Sequence, residues 1–151
     1  SGIKDVIVIS DAIPDRGPLG GIYSGLLASK SFYNFIVACD MPFLNEPLIK
    51  YIVALSGNND IIVPKIEEKF HPLFGIYSKD CIPFIEKNIK NGILKISSIF
   101  PKLKTNFISK RQINKFDRGL FSLVNINTKD DLKMVKEMEV GISCQNQHSP
   151  I

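Results

Sequence analysis

Short runs of apolar residues alternate with amphipathic stretches along most of this chain. Uninterrupted, β-branched runs bounded by turn residues are typical of strands buried on both faces of a sheet. On this basis we predict strands at residues 6–10, 35–39, 61–63, 72–77, 105–109 and 121–124. Strands that alternate with helices favour βαβ units, and therefore an α/β fold with a mainly parallel sheet covered on both faces.

The intervening amphipathic stretches predict helices at residues 22–31, 46–55, 80–91, 96–100 and 128–138. Pro64 should end the third strand, because proline cannot donate to the ladder. Thr128 and Asp131 have the spacing of a helix capping box. We expect one domain over residues 1–138. The tail at 139–151 shows no periodicity, so we expect it to be frayed or disordered.

The composition is that of a globular protein, since 44% of the 151 residues are hydrophobic and 23% are charged. The net charge is +4, but the lysines are spread along the chain and form no dense stripe with interleaved aromatics. Nucleic-acid binders usually show such a stripe, whereas a mildly basic balance suits an anionic small molecule. Three cysteines lie far apart without metal-binding spacing. We therefore expect a reduced, cytoplasmic protein that binds neither nucleic acid nor membrane.

Two of the predicted strands are followed directly by an aspartate, Asp11 or Asp40. Ligands of parallel sheets bind outside the carboxyl ends of the strands, so both carboxylates are candidate site residues. Asp40 would face bound phosphates, where Mg²⁺ takes one or two protein oxygens. An aspartate that only caps the following turn is the alternative. Pro42 would stop the strand and hold the carboxylate in place.

The loop after Asp11 contains the stretch G-P-L-G-G. Gly17, Gly20 and Gly21 would let the backbone approach a ligand closely, and the following helix would point its amides at the loop. A Gly- and Pro-rich turn without a ligand is the alternative. The spacing excludes a Walker A loop and the dinucleotide-binding G-x-G-x-x-G.

Two further polar stretches are candidates for binding. Asn125 and Asn127 share one face of an extended segment, and their amides offer donors and acceptors to the edge of a heterocycle. Asparagines that satisfy turn backbone are the alternative. His71 precedes a proline and an apolar strand. A hydrogen-bonded scaffold histidine is favoured over a catalyst, because no partner serine or cysteine suggests a triad.

Four motifs occur in an order and at separations that resemble the molybdenum cofactor guanylyltransferase family. They are G-P-L-G-G-I, A-C-D-M-P-F-L, H-P-L-F-G-I-Y and N-I-N-T-K-D-D-L, within residues 6–132. The resemblance implies a three-layer Rossmann-like nucleotide-diphospho-sugar transferase fold. It also implies transfer of GMP from Mg-GTP to molybdopterin, with release of pyrophosphate and with Mg²⁺ as cofactor. Molybdenum cofactor biosynthesis proteins and molybdoenzymes are the further partners that it implies.

The residue roles of the family carry over position by position. The resemblance implies that Asp11 and Gly17 bind the nucleotide. It implies that Asp40 contacts the nucleotide, ligates Mg²⁺ and takes part in catalysis. The molybdopterin side corresponds to three residues: Gly21, Asn125 and Asn127. His71 corresponds to a recurrent histidine without a clear role and is not assigned to catalysis.

The family's opening strand and its L-A-G-G-x-S-x-R-M-G-x-x-K segment, which holds the triphosphate, do not occur in this sequence. We therefore expect an N-terminally truncated form of the fold, in which the strand at residues 6–10 lacks its neighbours. Such an open edge invites aggregation or non-native pairing. Two alternatives stay open: a non-catalytic module that binds nucleotide or partner proteins, and a relative that uses CTP.

Overall fold

The computed structural model describes residues 7–145, with side chains described for residues 7–138. The α-helices are α1 (Gly17–Ala28), α2 (Glu46–Ala54), α3 (Ile82–Lys90), α4 (Lys110–Ile113) and α5 (Lys129–Gln145). The strands are β1 (Tyr33–Val37), β2 (Ile61–Ile66), β3 (Lys69–Phe70), β4 (Phe74–Ser78) and β5 (Thr105–Ile108). None of the helices in this part of the chain is long and apolar enough to cross a membrane.

The strands form one mixed sheet in the order β1-β4-β2-β3, and β5 also pairs with β2. β4 lies between β1 and β2 and runs antiparallel to both. β2 and β5 are parallel, so β1, β2 and β5 all run in the same direction. The α/β class is confirmed, and the common direction predicted for the strands holds for these three. The reversed β4 was missed, because a strand buried on both faces has the same apolar pattern in either direction.

Hydrophobic residues pack against both faces of the sheet, which gives the three layers expected. Ile61, Val63 and Tyr77 contribute to one cluster together with α1 and α3. Ile62 and Ile76 contribute to the other cluster together with α2 and α4. The alternation follows from the strand period of two, which sends successive side chains to opposite faces.

The strand predicted at residues 6–10 is wrong over the residues that the structure describes. Residues 7–10 are coil, and Ile7 and Val8 are 80% and 90% exposed. Val6 lies outside the described residues. β1 pairs only with β4 among the described strands, and none of them pairs with this apolar run. High β-propensity does not make a strand without a partner.

The strand predicted at residues 121–124 is also wrong, because Phe121–Leu123 is a turn of 3₁₀ helix. The buried carboxylate of Asp117 accepts hydrogen bonds from the backbone N–H groups of Phe121, at 3.2 Å, and Ser122, at 2.8 Å. An aspartate that bonds to the backbone a few residues on favours a turn over a ladder.

Other differences are small shifts of element ends. β1 lies two residues earlier than the predicted 35–39. α1 begins at Gly17, five residues before its predicted start. Pro64 lies inside β2, where its carbonyl still accepts from the N–H of His71 at 2.9 Å. α5 continues to Gln145, and residues 146–151 lie outside the described part, so the division into domain and tail stays a prediction.

β2, β3 and β4 form a hairpin whose second half is interrupted by a bulge. Lys65 pairs with Phe70, but Ile62 pairs with Ile76, so three extra residues are accommodated between these registers. The extra length forms a turn at residues 71–74 (H-P-L-F), closed by a hydrogen bond from the Phe74 N–H to the His71 carbonyl at 3.3 Å. We call these four residues the bulge.

Gly75 follows the bulge at a point where two backbones nearly touch. A Cβ atom at this position would lie 2.1 Å from the carbonyl oxygen of Ile62. Contacts this short do not occur between a real side chain and backbone, so only glycine fits without movement of a strand.

We expect Gly75→Ala to lower the free energy of unfolding by about 1–3 kcal/mol, since buried strands must separate to admit the methyl group. Urea denaturation followed by circular dichroism measures this change. Gly25→Ala is the matched control, because its added Cβ meets nothing within 4 Å in α1. Alanine there should stabilise the protein by about 0.5–1 kcal/mol. A Gly75→Ala protein as stable as the wild type would contradict the close approach.

Candidate functional site

A cavity of about 590 Å³ lies at the carboxyl end of β1. Its lining includes Gly21 of α1, Asp40 after β1, Leu73 of the bulge and Asn125 ahead of α5. We call it the Asp40 cavity. Three of the residues singled out from the sequence, Gly21, Asp40 and Asn125, therefore border the same space.

The position of Asp40 is set by a turn that follows β1. The Ala38 N–H donates to the Leu73 carbonyl at 3.0 Å, which extends the ladder one residue beyond the strand. The Met41 N–H then donates to the Ala38 carbonyl at 3.3 Å and closes the turn that contains Asp40. The strand thus ends before the carboxylate. This turn, rather than Pro42 as expected, holds Asp40 at the cavity.

The carboxylate of Asp40 has an oxygen with unmet hydrogen-bonding capacity. Oδ1 is buried, and no described residue donates a hydrogen bond to it. Leaving a buried carboxylate oxygen unpartnered is costly, whereas a bound cation would satisfy it. Mg²⁺ is often held by only one or two protein carboxylates together with water and phosphate oxygens. The donor chemistry of Asp40 therefore fits a magnesium ligand.

The described residues contain no group of three or more His, Cys, Asp or Glu side chains that could hold a metal ion by themselves. A magnesium ion at Asp40 would therefore depend on oxygens from water and from a phosphate ligand.

A hydrogen bond between distant parts of the chain brings Asn125 to the Asp40 cavity. The N–H of Ile126 donates to the backbone carbonyl of Asp40 at 2.8 Å. This bond ties the N-I-N-T segment to the turn after β1, so the side chain of the preceding Asn125 borders the cavity. A carboxamide and a carboxylate are thus placed at the same sheet end.

The other end of the N-I-N-T segment is held by the capping box of α5, as predicted. The Asp131 carboxylate accepts from the N–H of Thr128 at 2.9 Å and from that of Asn127 at 3.2 Å, and the Asp131 N–H donates to the Thr128 hydroxyl at 3.1 Å. Hydrogen bonds from Thr128 and Asn127 hold the pKa of Asp131 below its usual value. Asn127 is exposed, and its backbone serves the cap.

The loop that contains Asp11 packs on α1 through its backbone. The Ala12 N–H donates to the Ser24 hydroxyl at 2.8 Å, and that hydroxyl donates to the Gly20 carbonyl at 2.9 Å. The Asp11 side chain is exposed and does not border the Asp40 cavity. Gly17 begins α1 with φ of +56°, a conformation that favours glycine.

A second cavity of about 430 Å³ adjoins the Asp40 cavity and shares Leu73 and Asn125 with it. Lys69, His71 and Pro72 also line it, so we call it the bulge cavity. Burial, and then the charge of nearby Lys69, lower the pKa of His71 below its usual value. The imidazole is therefore neutral at neutral pH.

Lys69 and Leu73 are among the lining residues of these cavities that sequence reasoning missed. Lys69 lies two positions before His71 on an extended segment, which is the spacing of side chains on one face. Pro72 indicates a turn at Leu73, but the register change that turns it toward the cavities depends on pairing with β2.

Comparison with known proteins identifies the family to which this sequence and fold are related. The family model described as MobA-like NTP transferase domain matches residues 3–104, more than half of the chain. A molybdenum cofactor guanylyltransferase of Desulfosudis oleivorans is 35% identical over 130 residues, which are 85% of this chain and 64% of that protein. A probable molybdenum cofactor guanylyltransferase of Methanosarcina mazei is 38% identical over 132 residues, 86% of this chain and 59% of that one.

The fold has a solved counterpart. The crystal structure of molybdopterin-guanine dinucleotide biosynthesis protein A from Archaeoglobus fulgidus superposes with a TM-score of 0.70 at 28% identity, covering 83% of this chain and 64% of that one. This likeness confirms the nucleotidyltransferase fold class expected from the motifs. The chain spans about three fifths of the length of these relatives. From the family match, the sequence identities and the shared architecture, this chain belongs to the MobA-like NTP transferase family.

Proposed function

We propose that the full-length protein, meaning the complete natural chain that contains this sequence, transfers GMP from Mg-GTP to molybdopterin and releases pyrophosphate. The observation that carries the proposal is the convergence of Gly21, Asp40 and Asn125 on one cavity, together with the buried Asp40 Oδ1 atom, to which no described residue donates a hydrogen bond. The similarity to molybdenum cofactor guanylyltransferases supports the choice of guanylyl transfer.

In the proposed reaction a phosphate oxygen of molybdopterin forms a bond to the α-phosphorus of GTP. The bond from that phosphorus to the bridging oxygen breaks, and pyrophosphate leaves with the electron pair. Bound Mg²⁺ supplies charge neutralisation at the phosphates. Asp40 would hold that ion through its unpartnered oxygen. The turn that fixes Asp40 is already formed, so its placement needs no rearrangement.

The remaining proposed site residues divide between the two substrates. Asp11 and Gly17 are assigned to the nucleotide. Gly17 begins α1, where backbone N–H groups favour an anion. The molybdopterin side is assigned to Gly21, Asn125 and Asn127. Molybdenum cofactor biosynthesis proteins and molybdoenzymes as partners, and a cytoplasmic location, stay predictions.

Replacing Asp40 by asparagine in the full-length protein tests the metal role. We expect Mg²⁺-dependent guanylyl transfer to fall about 100-fold or more, since a metal contributes several kcal/mol to such reactions. Thermal stability should be retained or increased, because the unpartnered negative charge is removed. Asp80→Asn, an exposed carboxylate outside both cavities, is the matched control. Undiminished turnover in Asp40→Asn would reject the metal role.

Cys39 provides a measurement of cavity occupancy that does not depend on catalysis. Its thiol is exposed and borders the Asp40 cavity, whereas burial raises the pKa of Cys81 to about 12. In a Cys144→Ser background we expect a maleimide to modify Cys39 and to spare Cys81. Mg-GTP should slow this modification. If the nucleotide binds tightly but does not change the rate of Cys39 modification, the nucleotide site lies elsewhere.

Calorimetric titration of the full-length protein with Mg-GTP and Mg-CTP tests the choice of base. We expect tighter binding of Mg-GTP. Equal affinity would count against a guanine donor and would favour a CTP-dependent relative. Tight Mg-GTP binding without transfer to molybdopterin would instead support a non-catalytic nucleotide-binding module.

A further inference from the structure

The bulge cavity lies beside the Asp40 cavity and is separated from it by shared residues. Leu73 and Asn125 line both spaces, so a molecule in one cavity is adjacent to a molecule in the other. A reaction that joins two substrates requires adjacent binding sites, because the reacting atoms must come within about 3–3.5 Å of each other.

The polar lining of the bulge cavity is cationic or neutral. Lys69, His71 and Asn125 contribute an ammonium, a neutral imidazole and a carboxamide, and none of the lining residues is a carboxylate. Among the described residues, the neighbouring Glu68 pairs with Lys65 at 3.3 Å, and no carboxylate pairs with Lys69. The ammonium of Lys69 is thus available to an anion.

The backbone that carries His71 is held from three directions. Its N–H donates to the Pro64 carbonyl at 2.9 Å, and its carbonyl accepts from the Phe74 N–H at 3.3 Å. The buried hydroxyl of Tyr77 donates to the Pro72 carbonyl at 2.6 Å and supports the turn from beneath. The bulge is therefore preorganised, which reduces the entropy lost when a ligand binds.

We propose that the bulge cavity binds the phosphate group of the acceptor substrate, with the Lys69 ammonium and the His71 imidazole as hydrogen-bond donors. The assignment rests on the proposed function and names the subsite from which the attacking phosphate approaches. An acceptor phosphate and a nucleoside triphosphate repel each other as they approach. A cation on the acceptor side offsets this repulsion, and Lys69 supplies it from the wall of the bulge cavity.

The test measures the two substrates separately in the full-length protein. Lys69→Ala and His71→Asn should each raise the KM for molybdopterin about tenfold or more, as expected for loss of a hydrogen bond to a charged group. The dissociation constant for Mg-GTP, measured by calorimetry, should not change. Lys69→Arg should recover most of the loss. Lys90→Ala is the matched control, since Lys90 is an exposed lysine of α3 paired with Glu86.

An unchanged KM for molybdopterin in both variants would overturn the subsite while leaving guanylyl transfer intact. Failure of the wild type to bind Mg-GTP or to turn over would contradict the proposed function instead. In that case titration with inorganic phosphate decides the subsite by NMR, with the His71 ring signals identified by their loss in His71→Asn. A shift of the His71 ring signals that Lys69→Ala abolishes supports the assignment, and no shift in the wild type overturns it.

Discussion

The arrangement of this protein depends on the insertion of β4 between β1 and β2. Hydrogen bonds hold β4 on both edges, and hydrophobic clusters cover both of its faces. Because both edges of β4 are paired, the extra residues of the hairpin cannot be accommodated within the strand. They form a bulge at one end. The close contact at Gly75 and the Tyr77 hydroxyl bond to Pro72 then hold the bulge in one shape. Both cavities take part of their wall from it.

The candidate site is built from segments that are far apart in sequence and rigid in structure. A backbone hydrogen bond, from the Ile126 N–H to the Asp40 carbonyl, joins the turn after β1 to the segment ahead of α5. The α5 cap holds the other end of that segment. Within this frame the Asp40 Oδ1 atom is buried and accepts no hydrogen bond from any described residue, an unfavourable state for a folded chain by itself. Departures from local satisfaction of this kind are characteristic of functional sites.

Much of the fold could be predicted because the helix ends are set by residues close to them in the sequence. α5 starts at the capping box predicted from Thr128 and Asp131. The structure adds a side-chain cap of α2 at Asn45, and α3 ends at Lys90, two residues before Gly92 with φ of +71°. Motif recognition likewise singled out Gly21, Asp40 and Asn125 before their shared cavity was known. The two strands predicted wrongly, at residues 7–10 and 121–124, have strand-like composition, but no described strand pairs with either segment. Composition alone does not make a strand.

The sequence by itself determined the apolar periodicity, the helix caps, the Gly- and Pro-rich loops and the carboxylate that follows β1. These features depend on residues within a few positions of one another. Only the tertiary structure decided the direction of β4, the register change that forms the bulge and the placement of Asp40 and Asn125 at one cavity. Each of these is set by hydrogen bonds and packing between distant segments. A strand buried on both faces, such as β4, shows no apolar–polar alternation that would fix its partner, direction or register.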